Sequence, residues 1–177
     1  MKKTIICLIL VLLIVTGCKI KTSNIPNSAE LYDVAIEYLI DNNSDPDRNN
    51  NRYKLFIDYH GFGIYKDSNY RYAYMWISDE SYYVVDNKIV SGSGSSMPYK
   101  FTFELDSNKV VKYEIPDDGS EYVPSIKRMF PDDIENKVLN YEWDSSKLMK
   151  EVKEYYSDLE DKDIYFEIDD ELVKSDY

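Results

Sequence analysis

His60 is the sole histidine of this 177-residue chain, so any Ser/His or Cys/His nucleophilic pair would have to use it. It lies beside Gly61 at the end of an alternating segment and reads as structural or surface. A zinc site would need carboxylates alone around that one imidazole, which the sequence does not support. Asp41, Asn43 and Asp45 alternate as in a calcium loop. Pro46, however, stands where a glycine must turn the chain, and Arg52 stands where a bidentate glutamate belongs. A solvated loop is the better reading. The run Ser91–Ser96 has the glycines of a phosphate cradle but no following Lys-Ser/Thr, and it opens no helix. It reads as an inter-strand loop. Two acids facing across a cleft can hydrolyse glycosides, and Asp117–Asp118, Asp132–Asp133 and Asp169–Asp170 are adjacent pairs. With 33 acidic residues in the chain, adjacency carries little information and a solvated charge run is expected. The reading is a non-catalytic chain with no catalytic residue, metal ligand or cofactor.

The remaining chemistry is that of a thiol. Of the two cysteines, Cys7 and Cys18, the first lies inside an apolar run. Lys2 and Lys3 precede that run, Ile5–Val15 forms it, and Val15-Thr16-Gly17-Cys18 closes it. This arrangement resembles a bacterial lipoprotein signal: basic residues stay inside, the apolar stretch inserts, and small residues admit the peptidase. The run is shorter than the roughly 20 residues that span hydrocarbon. The resemblance implies cleavage before Cys18, with Val15, Thr16 and Gly17 as the recognition box and Cys18 as the acylated lipid anchor. Each buried CH₂ of the acyl chains, palmitate for example, would add about 0.8 kcal/mol. Residues 1–17 are then a signal peptide and residues 18–27 a tether, with Lys19 and Lys21 favouring anionic headgroups. Localisation at the extracytoplasmic face of the cell membrane follows. No intramolecular disulfide is expected once Cys7 departs.

Charge narrows the partners. The formal net charge is −12. Removal of Lys2 and Lys3 leaves 21 − 2 = 19 basic against 33 acidic side chains, or −14. Such a surface repels nucleic acid and anionic polymers. The membrane, an envelope protein or a cationic peptide remain as partners. Hydrophobic content of 44% and aromatic content of 15% allow a real core, and a folded domain is expected over residues 28–168.

Leu31, Val34, Ala35, Tyr38 and Leu39 recur at helical spacing, predicting a helix near Ser28–Asn42. Strands are predicted from Tyr53 to Tyr59, with a bend at Gly61 and Gly63. Further strands are expected at Tyr70–Ile77, at Tyr82–Val85, and as a hairpin of Phe101–Leu105 with Val111–Ile115 around Asp106-Ser107-Asn108. Short helices are expected at Ser125–Phe130 and Pro131–Leu139. A longer one, capped by Asp144, runs to Leu159 with Leu148, Val152, Tyr155 and Leu159 buried. Ile164–Ile168 is a short strand, and residues 169–177 read as a frayed acidic tail. The fold class is α+β: an antiparallel, curved sheet with an N-terminal helix and C-terminal helices packed on it.

Among 18 tyrosines, Tyr70, Tyr72 and Tyr74 share one strand face with Trp76. They form a candidate interaction surface, with sheet packing as the alternative. The segment Gly92–Leu139 carries a Gly-Ser turn, a proline opening a strand, a hairpin, then Pro116-Asp117-Asp118-Gly119-Ser120-Glu121-Tyr122, then Ile126 and Met129-Phe130-Pro131. It resembles the extracytoplasmic C-terminal module of beta-lactam-sensor-type metallopeptidase receptors, and stand-alone lipoproteins of low-GC Gram-positive bacteria. The peptidase's zinc helix is missing, so the likeness implies a sensing or interaction module without proteolysis. Pro116, Gly119, Tyr122, Phe130 and Pro131 read as its fold-defining corner. An immunity-type binder of a cationic toxin is the alternative function, and a carboxylate-based wall-glycan hydrolase a weaker one.

Overall fold

Alternating apolar residues and tight turns give three long strands, and the second of them carries an irregularity where two strands were expected. In a computed structural model that describes residues 23–24, 29–43, 52–169 and 171–175, the chain folds as α+β. The elements are β1 (Ser23–Asn24), α1 (Ala29–Asn43), β2 (Lys54–Lys66), β3 (Tyr70–Val85), β4 (Lys88–Glu104), β5 (Val110–Glu114), α2 (Tyr122–Met129), α3 (Asp132–Leu139), α4 (Ser146–Tyr155), β6 (Ile164–Ile168) and β7 (Glu171–Lys174). The open sheet has seven strands in the order β1-β2-β3-β4-β6-β7, with β5 also on β4. β4 is long enough to serve two neighbours. Its Lys100–Phe103 stretch pairs antiparallel with β5, and its Ile89–Ser91 stretch pairs parallel with β6. The sheet is therefore mixed where an antiparallel one was expected, because β6 returns after three helices instead of through a hairpin.

Period-2 alternation sends neighbouring residues to opposite faces. One face packs Ile64, Ala73, Met75, Ile77, Phe101 and Phe103 against Leu31, Ala35 and Leu39 of α1. That helix comes so close that a Cβ on Gly61 would lie 2.4 Å from the Tyr32 ring. Gly61 also sits at the register shift expected from its sequence. The opposite face carries the C-terminal helices. Tyr65 and Tyr74 lie under Ile126, Phe130, Ile134 and Val138, and Phe56, Tyr82 and Ile89 lie under Leu148, Val152 and Tyr156.

Four expectations are corrected. Tyr70–Ile77 and Tyr82–Val85 are one strand, β3, interrupted only by an irregularity between Glu80 and Tyr82. Ser91–Ser96 is no loop but the middle of β4. At Gly94 a Cβ would sit 2.7 Å from the Asp79 carbonyl oxygen, so the small residues there accommodate the crowded backbone opposite. Residues after Asp169 do not all fray: Glu171–Lys174 pair with β6, and the Ser175 N–H donates to the Ile164 carbonyl at 2.7 Å. At the end of α4 the buried tyrosine is Tyr156, just past the helix, whereas Tyr155 is exposed, because the i, i+4 series from Leu148 runs through Val152 to Tyr156.

Tight turns close the hairpins. Asp86 and Asn87, at φ 47° and 63°, form the two-residue left-handed turn that matches strand twist. The Tyr156 hydroxyl lies within hydrogen-bond reach of two carbonyls, the part-buried one of Arg52 at 2.8 Å and the buried one of Tyr82 at 3.0 Å. Tyr156→Phe is expected to cost about 1–2 kcal/mol by leaving them unpaired, readable as a lower urea midpoint at unchanged slope.

Candidate interaction surface

The Tyr70–Trp76 face is not one open surface. Tyr74 is only 4% exposed, with its ring 5.5 Å from Tyr65 and 5.3 Å from Phe130. The apolar faces of α2 and α3 cover it, so Tyr74 belongs to the core. Tyr72 is half-buried: its hydroxyl donates to Asp67 Oδ2 at 2.7 Å, and Lys100 Nζ stands 5.4 Å from its ring. Trp76 is half-buried, its Nε1–H donating to Ser96 Oγ at 2.8 Å. Tyr70, 40% exposed, is the most exposed of the four rings.

The aromatic ground accessible on this face lies elsewhere, in residues that sequence reading missed. Tyr141 and Trp143 sit on the segment joining α3 to α4, in the i, i+2 spacing that puts both side chains on one side of an extended chain. Tyr141 stacks on His60 at 4.8 Å and 21° and lies 5.3 Å from Trp76. Phe62 meets both His60 and Tyr141 edge-on. The Trp143 Nε1–H is buried and has no hydrogen-bond partner among the described residues. The signal for this cluster in the sequence is slight: two aromatics in the polar stretch Asn140-Tyr141-Glu142-Trp143-Asp144. Such a patch offers flat apolar ring area of the kind used in recognition. The described contacts of His60 are with aromatic rings, so no nucleophile–base pair forms around it there.

Carboxylates are engaged structurally. Asp117 pairs with Arg128 at 2.8 Å. Asp133 accepts the Tyr65 hydroxyl at 2.6 Å, and Arg52, from the calcium-like loop, makes a bidentate pair with Asp158 at 2.7 and 2.9 Å. Asp58, 8% exposed, is paired with Lys147 and accepts the Tyr59 N–H. A recurring device is a tyrosine hydroxyl donated to an acid: Tyr59 to Asp33, Tyr72 to Asp67, Tyr83 to Glu167 and Tyr165 to Asp161. A chain short of cations thus satisfies acids with neutral donors. Burial opposes it, yet the Tyr72 hydroxyl and the N–H groups of Asn69 and Tyr70 hold the Asp67 carboxyl below its ordinary range. Among the described residues, no group of three or more His, Cys, Asp or Glu is placed to hold a metal.

The corner residues fall where the chain leaves the hairpin. Pro116 is buried and Gly119 has φ 62°. Tyr122 and Phe130 pack in the Tyr74 cluster. The Pro131 carbonyl accepts the N–H groups of Ile134 and Glu135, starting α3. Val15, Thr16, Gly17 and Cys18 lie outside the described residues. No helix among the described residues is long and apolar enough to cross a membrane. Compared with known proteins, the chain matches no family model, no curated protein and no solved structure.

Proposed function

We propose that this chain is an exported lipoprotein, anchored by lipid on Cys18 at the outer membrane face, where it serves as a non-catalytic interaction or sensing module. The observation that carries this reading is the order Lys2-Lys3, then Ile5–Val15, then Val15-Thr16-Gly17-Cys18. A plain secretory signal needs no cysteine at that position. The role as a module is supported by aromatic area at Trp76, Tyr141 and Trp143 and by the aromatic environment of His60. The likeness of Gly92–Leu139 to a receptor's sensing module points the same way.

A second reading has a specific observation behind it. Asp158, Glu160, Asp161, Asp163 and Glu167 crowd the approach to β6 and the strand itself, and a cationic toxin or peptide would be steered toward them. Cys18→Ser is expected to abolish incorporation of labelled palmitate and to move the protein out of the purified membrane fraction. Retention of label and membrane association by that variant would refute the anchor. Crosslinking in intact cells then distinguishes the roles. An envelope protein recovered with the chain supports sensing, and protection from added cationic peptide that is lost on gene deletion supports the binder.

A further inference from the structure

β1 fixes where the anchor must emerge. Ser23 pairs with Lys66 and Asn24 with Tyr65, antiparallel to β2. Because β1 runs against β2, its first residue, Ser23, stands at the end of the sheet that carries the β2–β3 turn. The β4–β5 turn is at the same end, since Tyr70 pairs with Glu104. Part of the expected tether is therefore docked on the sheet edge. From Cys18 to Ser23 the chain advances five residues, a reach of roughly 17 Å at most when extended. The 16 residues of β3 span about 50 Å at 3.3 Å per residue. A lipid on Cys18 thus holds one end of a long sheet much closer to the bilayer than the other.

The chemistry of the two ends matches that placement. At the near end, Tyr70 and Leu105 flank a groove of about 600 Å³ between the two turns, and tyrosine is favoured at headgroup level. Apart from Asp106, the acids there are satisfied within the protein. Asp67 accepts the N–H groups of Asn69 and Tyr70. Glu104 accepts from Ser107 and pairs with Lys109 at 3.2 Å. Arg71 donates to Asn108. At the far end, β6 begins beside Ile89, and the segment entering it carries Asp158, Glu160, Asp161 and Asp163, of which Asp158 pairs with Arg52 and Asp163 with Lys174. An anionic leaflet repels that end.

We infer that the β2–β3 and β4–β5 turns lie against the membrane surface with Tyr70 at the headgroups, and that the acidic β6 end is held outward. This rests on lipidation of Cys18. The test uses the lipidated protein isolated from membranes and reconstituted in phosphatidylcholine–phosphatidylglycerol vesicles. Ser68→Cys at the near end or Lys162→Cys at the far end carries an environment-sensitive dye, and a headgroup quencher is placed in the lipid. Both sites are exposed. The expected result is strong quenching and a blue shift at position 68, and little of either at position 162. Tyr70→Ala is expected to weaken quenching at position 68 while leaving vesicle flotation unchanged. Equal quenching at the two positions, or stronger quenching at 162, would overturn the orientation. Loss of flotation in both labelled proteins, with unmodified Cys18 by mass, would instead locate the failure in the anchor.

Discussion

Tyr74→Ala is expected to lower unfolding stability by about 3–5 kcal/mol, the range for removing a large aromatic from a packed core. Tyr70→Ala is expected to change it by no more than about 0.5 kcal/mol, as for an exposed site. The two tyrosines lie on the same strand face, four residues apart, yet Tyr74 is 4% and Tyr70 40% exposed. The difference lies in what sits above them. Ile126, Phe130, Ile134 and Val138 close over Tyr74 and Tyr65, so truncation at Tyr74 opens a cavity between sheet and helices. Urea unfolding of the two variants measures this directly. A Tyr74→Ala protein as stable as the parent would mean that α2 and α3 do not cover the sheet.

Alkali is expected to unfold the protein in a cooperative step above pH 10, with release of the buried and acid-paired tyrosine protons together. Burial first, and then the neighbouring acids, push the hydroxyls of Tyr59, Tyr65, Tyr72 and Tyr83 above the ordinary value of 10.0. For Tyr165 the hydrogen bond to Asp161 is the main cause. Burial raises Tyr74, and burial with the Tyr155 charge raises Tyr156 despite Arg52. A group whose folded pKa is raised holds its proton more tightly when folded. Its contribution is complete below the unfolded value and is lost as pH rises through the folded one. The −12 formal charge grows with each tyrosinate, and self-repulsion acts in the same direction. Tyrosinate absorbance followed beside circular dichroism should show one shared transition. A smooth, non-cooperative titration centred near pH 10 with intact circular dichroism would contradict it.

Legibility followed locality. The α1 stripe, the β4–β5 hairpin and the alternation of β6 depend on residues close in sequence and could be read from period and turn chemistry alone. The strand character of Ser91–Ser96 could not, because its small polar residues carry no apolar alternation. They are strand because Asp79 and Glu80 across the β3 irregularity leave room for little else. The parallel β4–β6 pairing and the short strand β7 are long-range choices with no local signature. The interaction surface misled for a related reason. Alternation places Tyr70, Tyr72, Tyr74 and Trp76 on one face, but whether that face is covered depends on helices some fifty residues later. The aromatic cluster at Tyr141 and Trp143 depends on the same distant docking.

Under the proposed function, lipid on Cys18 would set where the chain lives and which end of the sheet meets the bilayer. Intact mass spectrometry of the protein extracted from membranes measures it most directly. The expected product begins at Cys18 and carries a diacylglyceryl thioether on that sulfur. A retained leader, or a free sulfhydryl at Cys18, would contradict the account.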